Sequence, residues 1–304
     1  MKRTLTCLAG FVFTLAFTFV LRGEPTPAPA NGKSLKIVVM DPLAAPLSCP
    51  CVKGYAQRDY AKLATYLEQE LERPVKVYFN ESLMVALEEK TSGRADIVIG
   101  KRSVVVDEAK EAKLALRPIL ALTGKDGVTT QTGLFVVPAK DPAKTVADLK
   151  NYRIIFGPAY CDEKHAAALE LLSKNGVTMR GELETCEACS DGAETILELG
   201  ADVRAATVIS SYAAPLLEGC GHVKKGDLRV IGTTKPVPFV TAFVSSKLSE
   251  NDQSAIEQAL LGVAEEPALL AALETKSGFV VEPTTKEPAG KPVAKVRETQ
   301  KKSR

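Results

Sequence analysis

The sequence has no tryptophan and only two histidines, His165 and His222, in 304 residues. So little imidazole leaves few candidates for histidine-based acid–base catalysis. The GxSxG elbow and the HExxH zinc signature are both missing, and "IGKRS" (99–103) lacks the upstream glycines of a phosphate-binding loop. Charge of one sign is missing too. A formal net charge of +2 argues neither for a nucleic-acid surface nor for a funnel that draws in acidic substrates. Beyond the N-terminus no apolar run approaches a membrane span. These absences point away from an enzyme and away from nucleic acid.

What is present begins with an export signal. "MKR" precedes "TLTCLAGFVFTLAFTFVL" (4–21), which carries no charge until Arg22, and a proline-rich spacer follows. Residues 1–30 therefore read as a signal peptide with its spacer, or as an N-terminal anchor that would be the chain's one tie to a membrane. The expected location is the periplasm or another extracytoplasmic space. At the other end, 282–304 carries seven Lys/Arg, three Glu and three Pro without apolar periodicity, which reads as a disordered basic tail. Without Cys7, six cysteines remain, at 49, 51, 161, 186, 189 and 220. An even number in an oxidising compartment suits disulfides. A direct Cys49–Cys51 bridge across one residue would be strained, so those two call for different partners. "CEAC" (186–189) lacks the strand context of a thioredoxin motif, and a structural disulfide involving Cys186, Cys189 or Cys220 is expected.

Between the two ends the pattern is α/β. "SLKIVVM" (34–40) is a continuous apolar strand of the kind buried on both faces. "GYAQRDYAKLATYLEQELER" follows as a helix with Tyr60, Leu63, Leu67 and Leu71 on one stripe. A strand (74–80), a helix ending near Gly93 and the strand "ADIVIGKRSVV", running into a polar loop, complete a β-α-β-α-β block. "RPILALT" and "TGLFVVP" are further strands. The second half repeats the grammar, with "DEKHAAALELLSKNGV" a helix capped by Asp162 and stopped at Gly176, and "SDGAETILELGAD" one capped by Ser190 or Asp191. Two such blocks make two lobes with a cleft between them, where ligands bind beyond the carboxyl ends of the strands. Residues 41–55, 100–103, 130–133, 157–165 and 210–212 follow strands and belong at that cleft. "SCPC" (48–51) would sit at its mouth.

The run "YAKLATYLEQELERPVKVYF", then "SGRADIVIG", "TGLFVV", "TVADLKNYRIIFG" and "LRVIGTTKPVPFVTAFV", resembles the type 2 periplasmic solute-binding proteins. It is most similar to the branch that binds phosphonate and related oxyanions for ABC transporters. The resemblance spans about 35–280. It implies a two-lobed fold with lobe 1 at 34–130 and 238–281 and lobe 2 at 131–237. It also implies a small polar ligand, an oxyanion among the candidates, and a transporter permease as partner. By resemblance the ligand contacts would be Tyr55, Lys101, Ser103, Ser210, Ser211 and Tyr212. One stretch departs from the family pattern. Where relatives place small hydroxyl residues at a helix N-terminus, this chain has "GPAYCDEKHAA", and Asp162 and Glu163 there would repel a phosphonate.

The alternative is a metal- or redox-handling protein on the same fold. Cys49, Cys51, Cys161 and His165 are soft or borderline donors suited to zinc or copper. The first reading expects no cofactor. A third reading is an accessory protein whose cleft is filled by its own side chains.

Overall fold

The computed structural model describes residues 33–48, 57–179, 181–200 and 203–282. The expectations for the N-terminal segment, the basic tail, Tyr55, Cys49 and Cys51 lie outside them. No helix among the described residues is long and apolar enough to cross a membrane.

The chain opens with strands β1 (Leu35–Met40), β2 (Val75–Phe79), β3 (Ile97–Lys101) and β4 (Leu116–Leu122), and passes through β5 (Thr130–Gln131). It then forms β6 (Gly133–Pro138), β7 (Arg153–Phe156), β8 (Glu184–Thr185), β9 (Ala205–Ser210) and β10 (Leu228–Thr233). It returns through β11 (Val237–Pro238) to β12 (Val240–Ser245) and β13 (Phe279–Val280). One sheet has the order β13-β4-β12-β3-β1-β2, and the other β10-β6-β9-β7-β8. β1 pairs in parallel with β2 and β3, as crossover connections require, while the returning β12 slots in antiparallel between β3 and β4. The two-stranded ladder of β5 and β11, Gln131 opposite Val237, marks where the chain crosses between the lobes.

Helices cover both faces of each sheet, which explains the unbroken apolar strands. Ile37, Val39, Ile97 and Ile99 pack under α1 (Tyr60–Glu70) and the C-terminal helices, while their neighbours Val38, Met40 and Val98 join Phe243 on the opposite face. In the second sheet Phe135, Val137, Ile154 and Phe156 face one way, and Val136 and Ile155 the other. Among the described residues α1 starts at Tyr60, after the non-helical Gln57 to Asp59, because the Asp59 carboxylate accepts from the backbone N–H groups of Ala61 and Lys62 and so fixes the helix start.

The structure corrects three further local expectations. After α2 (Leu83–Val85, continued by a π turn, Ala86–Lys90), the segment after Lys101 is α3 (Arg102–Glu111) and not a loop. Three successive valines favour extended chain, but burial of Val105 and Ala109 one turn apart outweighs that preference. α4 (Ala166–Lys174) begins four residues after Asp162, so Asp162 is not its cap. α5 (Cys189–Glu198) starts at Cys189, ahead of Ser190 and Asp191. The remaining α-helices among the described residues are α6 (Ala214–Gly219), α7 (Glu250–Gly262) and α8 (Pro267–Ala272).

The cysteines also depart from a full disulfide framework. Cys161, Cys186 and Cys189 are free thiols, whereas Cys220 is disulfide-bonded. Cys189 packs its sulfur against the Ser210 backbone N–H at 3.4 Å, and the Cys186 thiol turns to the Ala188 carbonyl at 3.3 Å. Each sulfur is thus engaged by its own local partner.

Candidate functional site

Four elements bring polar side chains to one point between the lobes. β3 ends at Lys101, the crossover strand β5 carries Gln131, the 157–165 loop carries Glu163, and β9 ends at Ser210. All four residues are buried, Glu163 and Ser210 completely. Lys101 Nζ donates to Glu163 Oε1 at 2.7 Å, and the Ser210 hydroxyl donates to the same oxygen at 2.6 Å. Gln131 Nε2 donates to Oε2 at 3.2 Å. A lobe-2 carboxylate is therefore held by the lobe-1 ammonium, by the crossover strand and by its own lobe. The Gln131 carbonyl oxygen, Oε1, is a buried acceptor with no partner among the described residues.

Lys101 Nζ also donates to Cys161 Sγ at 3.2 Å. Burial by itself would lower the Lys101 ammonium, but the Glu163 carboxylate and the Cys161 sulfur hold it above its ordinary value. The cation therefore keeps its charge throughout the neutral range. Burial pushes the Cys161 thiol up against the pull of Lys101 and Lys164, so its sulfur acts as a neutral acceptor.

The loop that carries Glu163 is pinned along its length. Cys161 N–H donates to the Pro158 carbonyl, and both Lys164 N–H and His165 N–H donate to the Cys161 carbonyl. Lys164 Nζ donates to the Glu187 carbonyl at 3.0 Å, and His165 Nδ1 meets the Gly157 carbonyl at 2.9 Å. At the start of α4, Ala167 N–H is taken by the Asp162 carbonyl. The loop's own backbone thus uses a donor that an anion at a helix N-terminus would need. A Cβ on Gly133 would lie 2.1 Å from the Glu163 carbonyl oxygen, so only glycine lets the loop press this close to the crossover. Gly133→Ala must push two backbones apart. It is expected to cost about 1–3 kcal/mol, read as a lower midpoint in urea or thermal unfolding.

Beside this cluster a second buried network lies within lobe 1. Asp41, at the end of β1, accepts from Arg58 Nη1 at 2.8 Å, from the Tyr60 hydroxyl at 2.5 Å and from Leu43 N–H at 2.9 Å. The Arg58 guanidinium lies 5.8 Å from the centre of the Phe239 ring, on which Tyr212 stacks at 5.0 Å. Tyr212 belongs to the segment after β9, so this stack joins the two lobes.

Of the residues singled out from sequence, Lys101 and Ser210 meet at the Glu163 carboxylate. Ser211 ties to the crossover: its N–H donates to the Thr132 carbonyl, and its hydroxyl accepts from Thr132 N–H. Ser103 lies in the first turn of α3. Of the four metal donors, only Cys161 and His165 are among the described residues, and they do not converge. Cys161 faces the Lys101 ammonium, which repels a cation, and the His165 ring is tied to the Gly157 carbonyl. Among the described residues, no three His, Cys, Asp or Glu side chains are grouped to hold a metal. Sequence reasoning placed Gln131 only within a stretch following a strand, and took Glu163 for a helix-end charge. No local motif marks either.

The chain matches the family model for the periplasmic substrate-binding protein of phosphonate ABC transporters over residues 54–284. It belongs to that family, the one its sequence resembles. It is thus the extracytoplasmic receptor of an ABC-type transporter, binds a small molecule, works with a transporter permease and is not an enzyme. No curated protein matches the sequence. Among solved structures, a Xanthomonas citri protein bound to ATP superposes with a TM-score of 0.61 at 17% identity, covering 83% of this chain and 93% of its own. PhnD1 from Prochlorococcus marinus, in complex with methylphosphonate, gives 0.60 at 13% identity, with coverages of 85% and 94%. A binding protein component of an ABC phosphonate transporter from Pseudomonas aeruginosa gives 0.59 at 13%, with 82% and 81%. At these identities the superpositions establish the fold.

Proposed function

We propose that the captured solute is a small oxyanion that also offers a hydrogen-bond donor, such as a singly protonated phosphonate or phosphate. One observation carries the reading: three donors, on Lys101, Gln131 and Ser210, converge on a single pair of carboxylate oxygens in a buried position between the lobes. Donors arranged around one carboxylate suit any oxyanion of similar size. The adjacent Gln131 Oε1 adds the requirement for a donor, because a buried acceptor facing a second lone pair is unfavourable. Family membership supports the same class of ligand.

Calorimetric titration of the mature protein tests the reading. Methylphosphonate and inorganic phosphate are expected to bind. Sulfate, which has the same shape and no proton to donate at neutral pH, should bind more weakly by at least about 100-fold. Sulfate binding as tight as phosphate, or no binding of any of the three by the wild type and by a folded Glu163→Ala variant, overturns the proposal.

A further inference from the structure

The oxyanion position is already filled by the chain itself. Glu163 is completely buried, and both of its carboxylate oxygens accept hydrogen bonds from the donors assigned to the solute. This is no side chain that has strayed inward from a loose surface loop. The 157–165 backbone is closed on itself by four hydrogen bonds, including Gly157 N–H to the Lys164 carbonyl at 3.3 Å. Lys164 is anchored to Glu187, and the Glu163 carbonyl is seated against Gly133, where no side chain would fit. The fit is nevertheless incomplete, since a carboxylate has no proton to give and Gln131 Oε1 stays without a partner among the described residues.

We infer that Glu163 is a specificity-determining residue that acts as a tethered competitor, holding the lobes together in the solute-free protein and yielding only to an oxyanion that satisfies the site better. The inference rests on the oxyanion reading above. A tethered group competes at a high effective concentration without losing translational freedom, so weakly matched anions fail to displace it. A carboxylate or sulfonate monoanion exchanges like for like at Lys101 and Ser210 and gains nothing. A protonated phosphonate brings the missing donor. The carboxylate that a helix N-terminus would reject becomes, in this chain, the threshold a solute must exceed.

The test uses the mature chain as wild type, Glu163→Ala and Glu163→Gln, with circular dichroism to confirm folding. Solution scattering follows lobe opening, and calorimetry follows methylphosphonate binding. Solute-free Glu163→Ala is expected to open, with a larger radius of gyration than the wild type. It should bind methylphosphonate at least about tenfold more tightly than the wild type and close again on binding. Glu163→Gln keeps the shape and loses the charge, and it should fall between the two. If Glu163→Ala does not fold, Glu163→Gln is read in its place against the same criteria. Methylphosphonate bound by the wild type and equally or more weakly by the variants overturns the inference and leaves the oxyanion reading standing. Folded variants and wild type that all fail to bind any oxyanion overturn that reading and this inference with it.

Discussion

Asp41→Ala is expected to cost the fold about 3–5 kcal/mol, the usual loss when one partner of a buried ion pair is removed. The carboxylate is completely buried and satisfied by three donors, so its removal leaves Arg58, itself almost fully buried, without its counter-charge. A guanidinium is too basic to give up its proton at ordinary pH even when buried, so Arg58 cannot escape by becoming neutral. Nor can it swing into water, because its Nε donates to the Leu273 carbonyl at 3.1 Å and its backbone N–H to Leu43. The Tyr60 hydroxyl would lose its acceptor as well. Burial and the neighbouring Asp41 charge push this phenol well up, so it serves only as a donor. Tyr60→Phe should therefore cost less, about 1.5–3 kcal/mol, the worth of one hydrogen bond to a charged group. Urea unfolding with a common slope for wild type and both variants checks the order. An Asp41→Ala loss no larger than the Tyr60→Phe loss would show that Arg58 finds another partner.

This network was invisible in the sequence, because Asp41, Arg58 and Tyr60 belong to no motif and meet only when the loop after β1 folds back. The architecture itself was legible, since apolar strands alternating with amphipathic helices admit little except parallel pairing with covered faces. Strand ends also led to Lys101 and Ser210, because the rule that ligands lie beyond the carboxyl ends of strands depends on topology and not on residue identity. The sequence places Glu163 in a cleft loop as a charge at a helix start, whereas its carboxylate meets Lys101, Gln131 and Ser210. Acidic residues ahead of an alanine-rich run look like a helix start, but the helix begins only at Ala166 and the Glu163 backbone lies against Gly133, a tertiary contact that no local pattern announces. α3 was missed because local preference for extended chain at three valines misleads when the next turn is buried. An even cysteine count suits disulfides, and Cys220 is disulfide-bonded, yet Cys161, Cys186 and Cys189 are free thiols, each engaged in a hydrogen bond instead.

Lys101→Met should separate binding from stability in a way that Asp41→Ala cannot. The substitution removes the cation that faces the anion position and leaves Glu163 with only the Ser210 and Gln131 donors. Truncating one member of a buried charge pair at a binding site typically costs 2–5 kcal/mol, so oxyanion affinity should fall by roughly 30-fold to more than 1,000-fold. The unfolding free energy should fall by clearly less than for Asp41→Ala. Glu163 and Lys101 come from opposite lobes joined through the β5–β11 crossover, so opening the lobes can return the stranded carboxylate to water. Asp41 and Arg58 lie in one lobe, where no hinge can do the same. The penalty at Lys101 is thus capped by the free energy of opening, and the penalty at Asp41 is not. Calorimetry and urea unfolding on the same preparation measure both quantities, and solution scattering should find solute-free Lys101→Met more open than the wild type. If the variant binds methylphosphonate as the wild type does, Lys101 is only a structural partner of Glu163, and the anion must be held elsewhere in the cleft. If binding is lost while the lobes stay closed, Lys101 contacts the ligand, but the Lys101–Glu163 pair is not what holds the lobes together.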